Sequence, residues 1–132
     1  MRCLFTFLFL SLFPISAQAQ ITPLSTWVNT RGSTLTAWFV EPVTGSFIGT
    51  YVNNAAGFEC QGAPYEVRGL TKGTAVTFKV DWNGLGVPDC KSTTIWQGRV
   101  VGPTMSTRWT LDYTGRDGKP HRMYGRDRFT RR

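Results

Sequence analysis

The sequence contains few of the residues from which metal centres and catalytic dyads are built. Its 132 residues include three cysteines, eight acidic residues and a single histidine, His121. The cysteines and the histidine match no known spacing of zinc ligands. No paired carboxylates, Ser–His pair or Cys–His pair lies at a separation typical of a catalytic site. We therefore expect neither a metal site nor an enzyme, and we assign no role to His121.

The sequence also lacks an apolar run long enough to cross a membrane as a helix. Residues 4–13 form such a run, but it is too short. It follows a basic start, Met1-Arg2, and precedes the small-x-small sequence Ala17-Gln18-Ala19. These features predict a secretory signal peptide over residues 1–19, cleaved near Ala19. Residues 20–132 would then form one compact domain, secreted to the extracellular space or periplasm and without a membrane anchor.

Cysteine is scarcer still after the predicted cleavage, which removes Cys3 and leaves Cys60 and Cys90. Two cysteines in an exported protein favour a disulfide, with two free thiols as the alternative. For a loop of this length, the chain-entropy model assigns the bond roughly 3 to 4 kcal/mol. Such a bond would tie together two of the longer connections in the chain.

Negative charge is under-represented, with eight acidic against 15 basic residues and a net charge of +7. The basic residues are scattered until the C-terminus, where only two aspartates accompany them. We interpret this segment as a solvated rim and tail, and a site for nucleic acid or another polyanion is the alternative. Its basic residues are Arg116, Lys119, Arg122, Arg126, Arg128, Arg131 and Arg132.

No long helical pattern follows the predicted signal peptide. Instead, short runs rich in β-branched and aromatic residues alternate with turn residues, which indicates an antiparallel sandwich or barrel. The brief connections favour hairpins between sequential strands, hence an up-and-down meander. The predicted strands are residues 25–28, 34–40, 46–52, 64–70, 74–82, 92–101, 105–113 and 122–129.

The inward faces of these predicted strands are unusually polar. In the run from Cys90 to Gly98, alternation places Ser92, Thr94 and Trp96 on one face. Taken alone, this run fits a Thr-rich sandwich strand with one buried tryptophan. Other strands repeat the pattern, and buried hydroxyl and amide groups cost free energy unless they find partners. A polar small molecule bound in a barrel would supply them. The predicted inner residues include Asn29, Ser33, Tyr51, Asn53, Trp82, Ser92, Thr94, Trp96, Trp109 and Leu111.

Several short motifs, in order along nearly the whole predicted mature chain, resemble those of the avidin and streptavidin family. Their agreement in order and spacing is more specific than any one motif. The resemblance implies an all-β, eight-stranded antiparallel up-and-down β-barrel that binds biotin at one mouth, with no other cofactor. The motifs are Trp27-Val28-Asn29 with Gly32-Ser33-Thr34-Leu35, Ile48-Gly49-Thr50-Tyr51, Trp82-Asn83, Ser92-Thr93-Thr94-Ile95-Trp96-Gln97-Gly98, Thr107-Arg108-Trp109 and Asp127-Arg128-Phe129.

The resemblance also implies a role for each residue of the biotin site. Asn29, Ser33 and Tyr51 would donate hydrogen bonds to the ureido oxygen, and Asp127 and Asn53 would accept from the two ureido N–H groups. Thr94 would contact the ring sulfur. The rings and the valeryl chain would lie among Trp82, Trp96, Trp109 and Leu111. The carboxylate would be bound by Ser92 and by backbone amides of the loop residues Asn54, Ala55, Ala56 and Gly57.

Departures from the tetrameric members indicate the dimeric, rhizavidin-like branch. The last hairpin has Lys119 or another non-aromatic residue where tetrameric members place a tryptophan into a neighbour's pocket. Asn53 replaces a hydroxyl residue, and Cys60 and Cys90 flank the loops at the mouth. We therefore expect a homodimer whose partner ligand is biotin and not nucleic acid. Arg31 lies near the pocket at a position that is often uncharged in relatives.

Overall fold

The computed structural model describes residues 21–132, so the predicted signal peptide, residues 1–19, lies outside the described residues. Within that range, no helix is long and apolar enough to span a membrane. Eight β-strands make up the described chain. They are β1 (Ser25–Asn29), β2 (Thr34–Val40), β3 (Ser46–Val52), β4 (Pro64–Lys72), β5 (Ala75–Asp81), β6 (Ser92–Val101), β7 (Thr104–Thr114) and β8 (Pro120–Arg131).

The strands close into a barrel in which each strand pairs antiparallel with its neighbour in sequence. β1 completes the ring by pairing with β8, in the register of Trp27 with Arg131 and Asn29 with Phe129. The predicted eight-stranded up-and-down barrel is therefore confirmed. Closure removes the free sheet edges that would otherwise invite pairing with another chain.

Alternation along β6 and its neighbours separates the barrel interior from the outer surface. Thr94 and Trp96 are buried, whereas Ile95 and Gln97 on the same strand are exposed. Inside, Phe78 stacks on Trp96 with ring centroids 4.9 Å apart. The end of the barrel away from the long loops is filled by apolar side chains, so the cavity opens at the other end. Buried residues at the filled end include Val76, Val100, Met105 and Phe129.

Strand β2 contains an irregularity that simple alternation did not predict. Its pairing register with β3 shifts between Ala37 and Phe39, so Trp38 and Phe39 both face outward. The indole of Trp38, 55% exposed, donates a hydrogen bond to the Thr50 hydroxyl at 2.8 Å. Alternation from the buried Leu35 and Ala37 already places Trp38 outside, and a β-bulge re-aims side chains, so the irregularity turns Phe39 outward as well.

The predicted disulfide between Cys60 and Cys90 is present, with Cα atoms 6.3 Å apart. Cys60 lies in the β3–β4 connection and Cys90 in the β5–β6 connection. Both connections lie at the mouth of the barrel. The bond therefore restrains the loops that border the cavity.

Candidate functional site

A cavity of about 340 Å³ occupies the open end of the barrel, within the size range of small-molecule sites. Strands β1, β3, β6, β7 and β8 contribute to it, together with Ser33 just before β2 and Trp82 just after β5, because their inward faces share one lumen. The eleven strand and strand-end residues proposed from sequence all line it. They are Asn29, Ser33, Tyr51, Asn53, Trp82, Ser92, Thr94, Trp96, Trp109, Leu111 and Asp127.

Asp127 on β8 presents an unsatisfied hydrogen-bond acceptor in this cavity. The residue is only 8% exposed. One carboxylate oxygen, Oδ2, accepts a hydrogen bond from the Trp96 indole at 2.9 Å. The other oxygen, Oδ1, is buried and has no partner in the protein. A buried carboxylate oxygen without a donor is costly, so this position suits a ligand that brings an N–H or O–H group.

The turn after β1 fixes the direction of the Asn29 side chain. Its Oδ1 accepts hydrogen bonds from the backbone N–H groups of Arg31, at 3.0 Å, and Ser33, at 2.9 Å. This use of asparagine as a turn former is a common local motif. Because the carbonyl oxygen is held by the turn, the Nδ2 group is left to donate elsewhere. Asn29 thus shapes the turn and also offers a donor to the cavity.

Ser33, Asn53 and the start of the β3–β4 loop form a buried hydrogen-bond network. The Ser33 hydroxyl accepts from the Asn54 amide at 2.9 Å and lies 3.3 Å from the Asn53 Oδ1, to which it donates. Asn53 Oδ1 also accepts from the Ala55 amide at 3.0 Å, and its Nδ2 donates to the Glu59 carbonyl at 3.2 Å. The hydroxyl hydrogen of Ser33 is the part of this network that can rotate. Turning it towards a ligand oxygen would free a lone pair on Asn53.

Tyr51 is held as a neutral donor. Burial, with a smaller contribution from the Asp127 carboxylate, raises the pKa of its phenol well above the ordinary value. The ring packs 4.8 Å from that of Trp96 and 5.8 Å from that of Trp82, centroid to centroid. The protonated hydroxyl can therefore donate at any physiological pH.

Three tryptophans form the walls of the cavity, and other residues hold them in position. The Trp82 indole donates to the Thr94 hydroxyl at 2.7 Å, which leaves the hydroxyl hydrogen of Thr94 to point elsewhere. Trp109 lies opposite Gly125 in the β7–β8 register, and a side chain at Gly125 would overlap the indole. The walls are thus fixed before any ligand arrives.

The rim of the cavity includes residues that sequence reasoning did not identify. Phe58 packs edge-on against Trp109 at 6.0 Å, and the Arg31 guanidinium lies 5.8 Å from the centre of the Phe58 ring. An aromatic residue two positions before Cys60 in a polar loop was the available signal for Phe58. The other rim residues missed from sequence are Glu59, Tyr113, Thr114, Gly115, Arg116 and Met123, whereas Cys90 lies at the mouth as expected.

The β3–β4 loop contributes less to the cavity than the sequence suggested. Of the four loop residues proposed to lie near a carboxylate, Ala55 and Gly57 line the cavity, whereas Asn54 and Ala56 do not. The amides of Asn54 and Ala55 already donate to Ser33 and Asn53. These two N–H groups are therefore occupied within the protein.

Comparison with known proteins agrees with this architecture. The family model described as "Avidin family" matches residues 17–132. Afifavidin of Afifella pfennigii is 42% identical over 121 residues, covering 87% of this chain and 74% of that protein. The bradavidin2–biotin complex is 40% identical with a TM-score of 0.74, covering 84% of this chain and 98% of that one. The rhizavidin–biotin complex is 35% identical with a TM-score of 0.76, covering 84% and 92%. This chain is therefore a member of the avidin family.

Proposed function

We propose that the protein is a non-catalytic, high-affinity biotin-binding protein. The observation that carries the proposal is the buried, unpartnered Oδ1 of Asp127 in a cavity that also presents the donors of Asn29, Ser33 and Tyr51. A ureido group has one carbonyl oxygen flanked by two N–H groups, so it requires this combination of donors and acceptors. Similar proteins have been solved as biotin complexes, which supports the same ligand here.

In the proposed complex, the amide of Asn29 and the hydroxyls of Ser33 and Tyr51 donate to the ureido oxygen. Asp127 Oδ1 accepts from one ureido N–H group, and Asn53 Oδ1 accepts from the other once the Ser33 hydroxyl has turned from it to the ligand. A hydrogen bond to a charged carboxylate contributes about 1.5 to 3 kcal/mol net. The preformed turn at Asn29 and the fixed tryptophans reduce the ordering cost of binding.

The rest of the ligand would lie against the aromatic walls. Trp82, Trp96, Trp109 and Leu111 would surround the fused rings and the valeryl chain, with the free hydroxyl hydrogen of Thr94 towards the ring sulfur. Ser92, on β6 nearer the mouth, would contact the carboxylate. Gly57 is the loop residue that lines the cavity and remains available for that end, because the amides of Asn54 and Ala55 are engaged and Ala56 does not line the cavity.

Isothermal titration calorimetry of the mature protein with free biotin, at low and high salt, tests the proposal. We expect a steep transition near one biotin per chain that changes little with salt, because the ureido ring is uncharged. Absence of heat at both salt concentrations would contradict the proposal and indicate another ligand for the barrel.

A second candidate function is polyanion binding on the outer face of the barrel. Arg108 on β7 lies directly opposite Arg126 on β8, and Arg128 follows on the same face. Like charges placed opposite one another are unfavourable unless an anion lies between them. Binding of a polyanion would weaken steeply as salt rises. The same calorimetry with an oligonucleotide therefore separates the two candidates.

We also propose export and dimer formation. The disulfide between Cys60 and Cys90 suits an oxidising compartment, in agreement with the predicted signal peptide. N-terminal sequencing of the protein recovered from outside the cytoplasm should begin near Gln20. The last hairpin, from Gly115 to Lys119, has no aromatic residue that could cover a neighbour's pocket, which favours a dimer over a tetramer.

A further inference from the structure

The cavity extends past the groups that would bind the ureido ring, towards the β7–β8 hairpin. On β6, Ser92 is the proposed carboxylate contact, and it lies directly opposite Tyr113 on β7. Three residues later the chain reaches Arg116, which lines the same cavity from the turn between β7 and β8. Arg116 therefore lies at the end of the cavity where a carboxylate would lie.

The charges around this mouth are arranged in favour of an anion. Among residues 21–132, the charged side chains that line the cavity are Arg31, Glu59, Arg116 and Asp127. Asp127 lies at the inner end, where Trp96 donates to it. The mouth therefore presents two guanidinium groups and one carboxylate. Arg31 lies over the Phe58 ring on the loop side, which leaves Arg116 as the cation on the hairpin side.

Arg116 has no acidic partner among the described residues. Their ion pairs join Arg68 with Glu66, Lys79 with Asp81, His121 with Asp117, and Arg122 with Asp112. The adjacent acid, Asp117, accepts from the Lys119 amide at 2.9 Å and lies 3.0 Å from the His121 ring nitrogen. The carboxylate of the turn is thus engaged with its own hairpin, and the guanidinium of Arg116 is available to a ligand.

We propose that Arg116 recognises the free carboxylate of the ligand, so that the protein selects biotin as the free acid over biotin joined to another molecule through an ester or amide. This inference rests on the proposed function. Conjugation removes the negative charge at the end of the valeryl chain but leaves the ureido ring and the sulfur unchanged. The free acid and a conjugate would therefore make the same contacts deep in the cavity, and any difference in their affinities would come from contacts at the mouth.

The test compares the dissociation constants of biotin and biotin methyl ester for the wild-type protein and for Arg116→Gln, at low and high salt. The ester keeps both carboxyl oxygens, loses the negative charge and adds one methyl group. Arg116→Gln should weaken binding of the acid by roughly two- to fivefold, the range for an exposed ion pair, and leave binding of the ester unchanged. High salt should reduce the difference between the ligands in the wild type. Arg116→Lys should retain most of that difference, because it keeps the charge.

Arg99→Gln is the matched control, because Arg99 is an exposed arginine on β6 beyond the cavity. It should change neither dissociation constant. Equal weakening of acid and ester by Arg116→Gln would overturn the inference and reduce Arg116 to a support for the hairpin. Equal affinity of the wild type for acid and ester would also overturn it, while leaving biotin binding intact. Failure of the wild type to bind either ligand would refute the proposed function itself, and the inference with it.

Discussion

Asp127 is the only acidic residue that is buried among residues 21–132. One of its carboxylate oxygens accepts a hydrogen bond from the Trp96 indole, and the other has no hydrogen-bond partner in the protein. A single side chain thus positions a wall of the cavity and offers the acceptor that a ligand would complete. Without the family resemblance, an aspartate among arginines fits a surface position equally well. The barrel register places Asp127 inside.

Replacing Asp127 by alanine should therefore weaken biotin binding by more than tenfold, as expected for loss of a charge-assisted hydrogen bond of about 1.5 to 3 kcal/mol. Dissociation rates of labelled biotin measure the effect. Asp112→Ala is the control, since Asp112 is exposed and paired with Arg122 on the outer surface. Unchanged affinity in the Asp127 variant would contradict the proposed role of its carboxylate.

Tyr51 gives a prediction about pH. Burial raises the pKa of its phenol, whereas an unfolded tyrosine ionises near pH ~10. Below about pH 10 both states keep the proton, so the stability associated with the neutral phenol is fully present. Above that pH only the unfolded chain releases it, and the free energy of unfolding should fall, by up to about 1.4 kcal/mol per pH unit from this residue.

Denaturant titrations over a series of alkaline pH values would measure this slope. Tyr51→Phe should make it shallower, because the variant has no phenol to ionise at this position. Equal slopes for wild type and Tyr51→Phe would show that the phenol is not protected by burial.

At the scale of strands and loops, Gly125 on β8 makes room for the indole of Trp109 on β7. Gly125→Ala should displace the indole, lower stability by about 1 to 3 kcal/mol and weaken biotin binding, since that indole forms a cavity wall. Thermal unfolding and biotin dissociation rates measure both effects. A smaller ring should relieve the overlap, so Gly125→Ala with Trp109→Phe should lose less stability than the sum of the two single variants. Strict additivity would contradict this interpretation.

The disulfide gives a second prediction at this scale. Cys60 and Cys90 are separated by 30 residues in sequence and join the two loops at the mouth. Reduction should remove roughly 3 to 4 kcal/mol of stability in the chain-entropy model and should quicken biotin release. Release is measured at a temperature where the reduced protein remains folded, with circular dichroism as the control. An unaltered release rate would mean that the bond supports folding alone.

The strands were predictable because alternation is a local property. The predicted run 46–52 coincides with β3, and 92–101 coincides with β6. β8 extends beyond the predicted 122–129 because its ends carry no apolar alternation. The bulge that exposes Phe39 depends on pairing with β3, which the sequence of β2 alone cannot show.

The lining residues on strands were also predictable, since a closed barrel sends every inward side chain to one lumen. The loops were not. Phe58 reaches the rim because its loop is held by the disulfide and by contacts to Asn53, and Arg116 does so through the geometry of a tight turn. The hydrogen bonds that already occupy the amides of Asn54 and Ala55 are tertiary contacts, which residue spacing does not specify.

For the whole molecule, the expected homodimer needs an outer face that a second copy could cover. Ile95, Thr110 and Tyr124 lie side by side across β6, β7 and β8, and Ile95 and Tyr124 are exposed apolar residues. Light scattering coupled to gel filtration should give about twice the mass of one chain. Tyr124→Glu should shift that mass towards one chain without changing the cavity.

Trp38→Ser, on the outer face of β2, is the matched control for that experiment and should leave the mass unchanged. A lower mass for Trp38→Ser, with an unchanged mass for Tyr124→Glu, would place the dimer contact on the β2 face. A mass of one chain for the wild type at all concentrations would refute the dimer.

The barrel closes where β1 meets β8, through a ladder much shorter than the one between β7 and β8. Asn29 of β1 and Asp127 of β8 flank this junction, and both line the cavity. A ligand that accepted a hydrogen bond from Asn29 and donated one to Asp127 would link the first strand to the last. Pulling the two chain ends apart would then need more force with the ligand present than without it, although the ligand adds no bond between the two backbones.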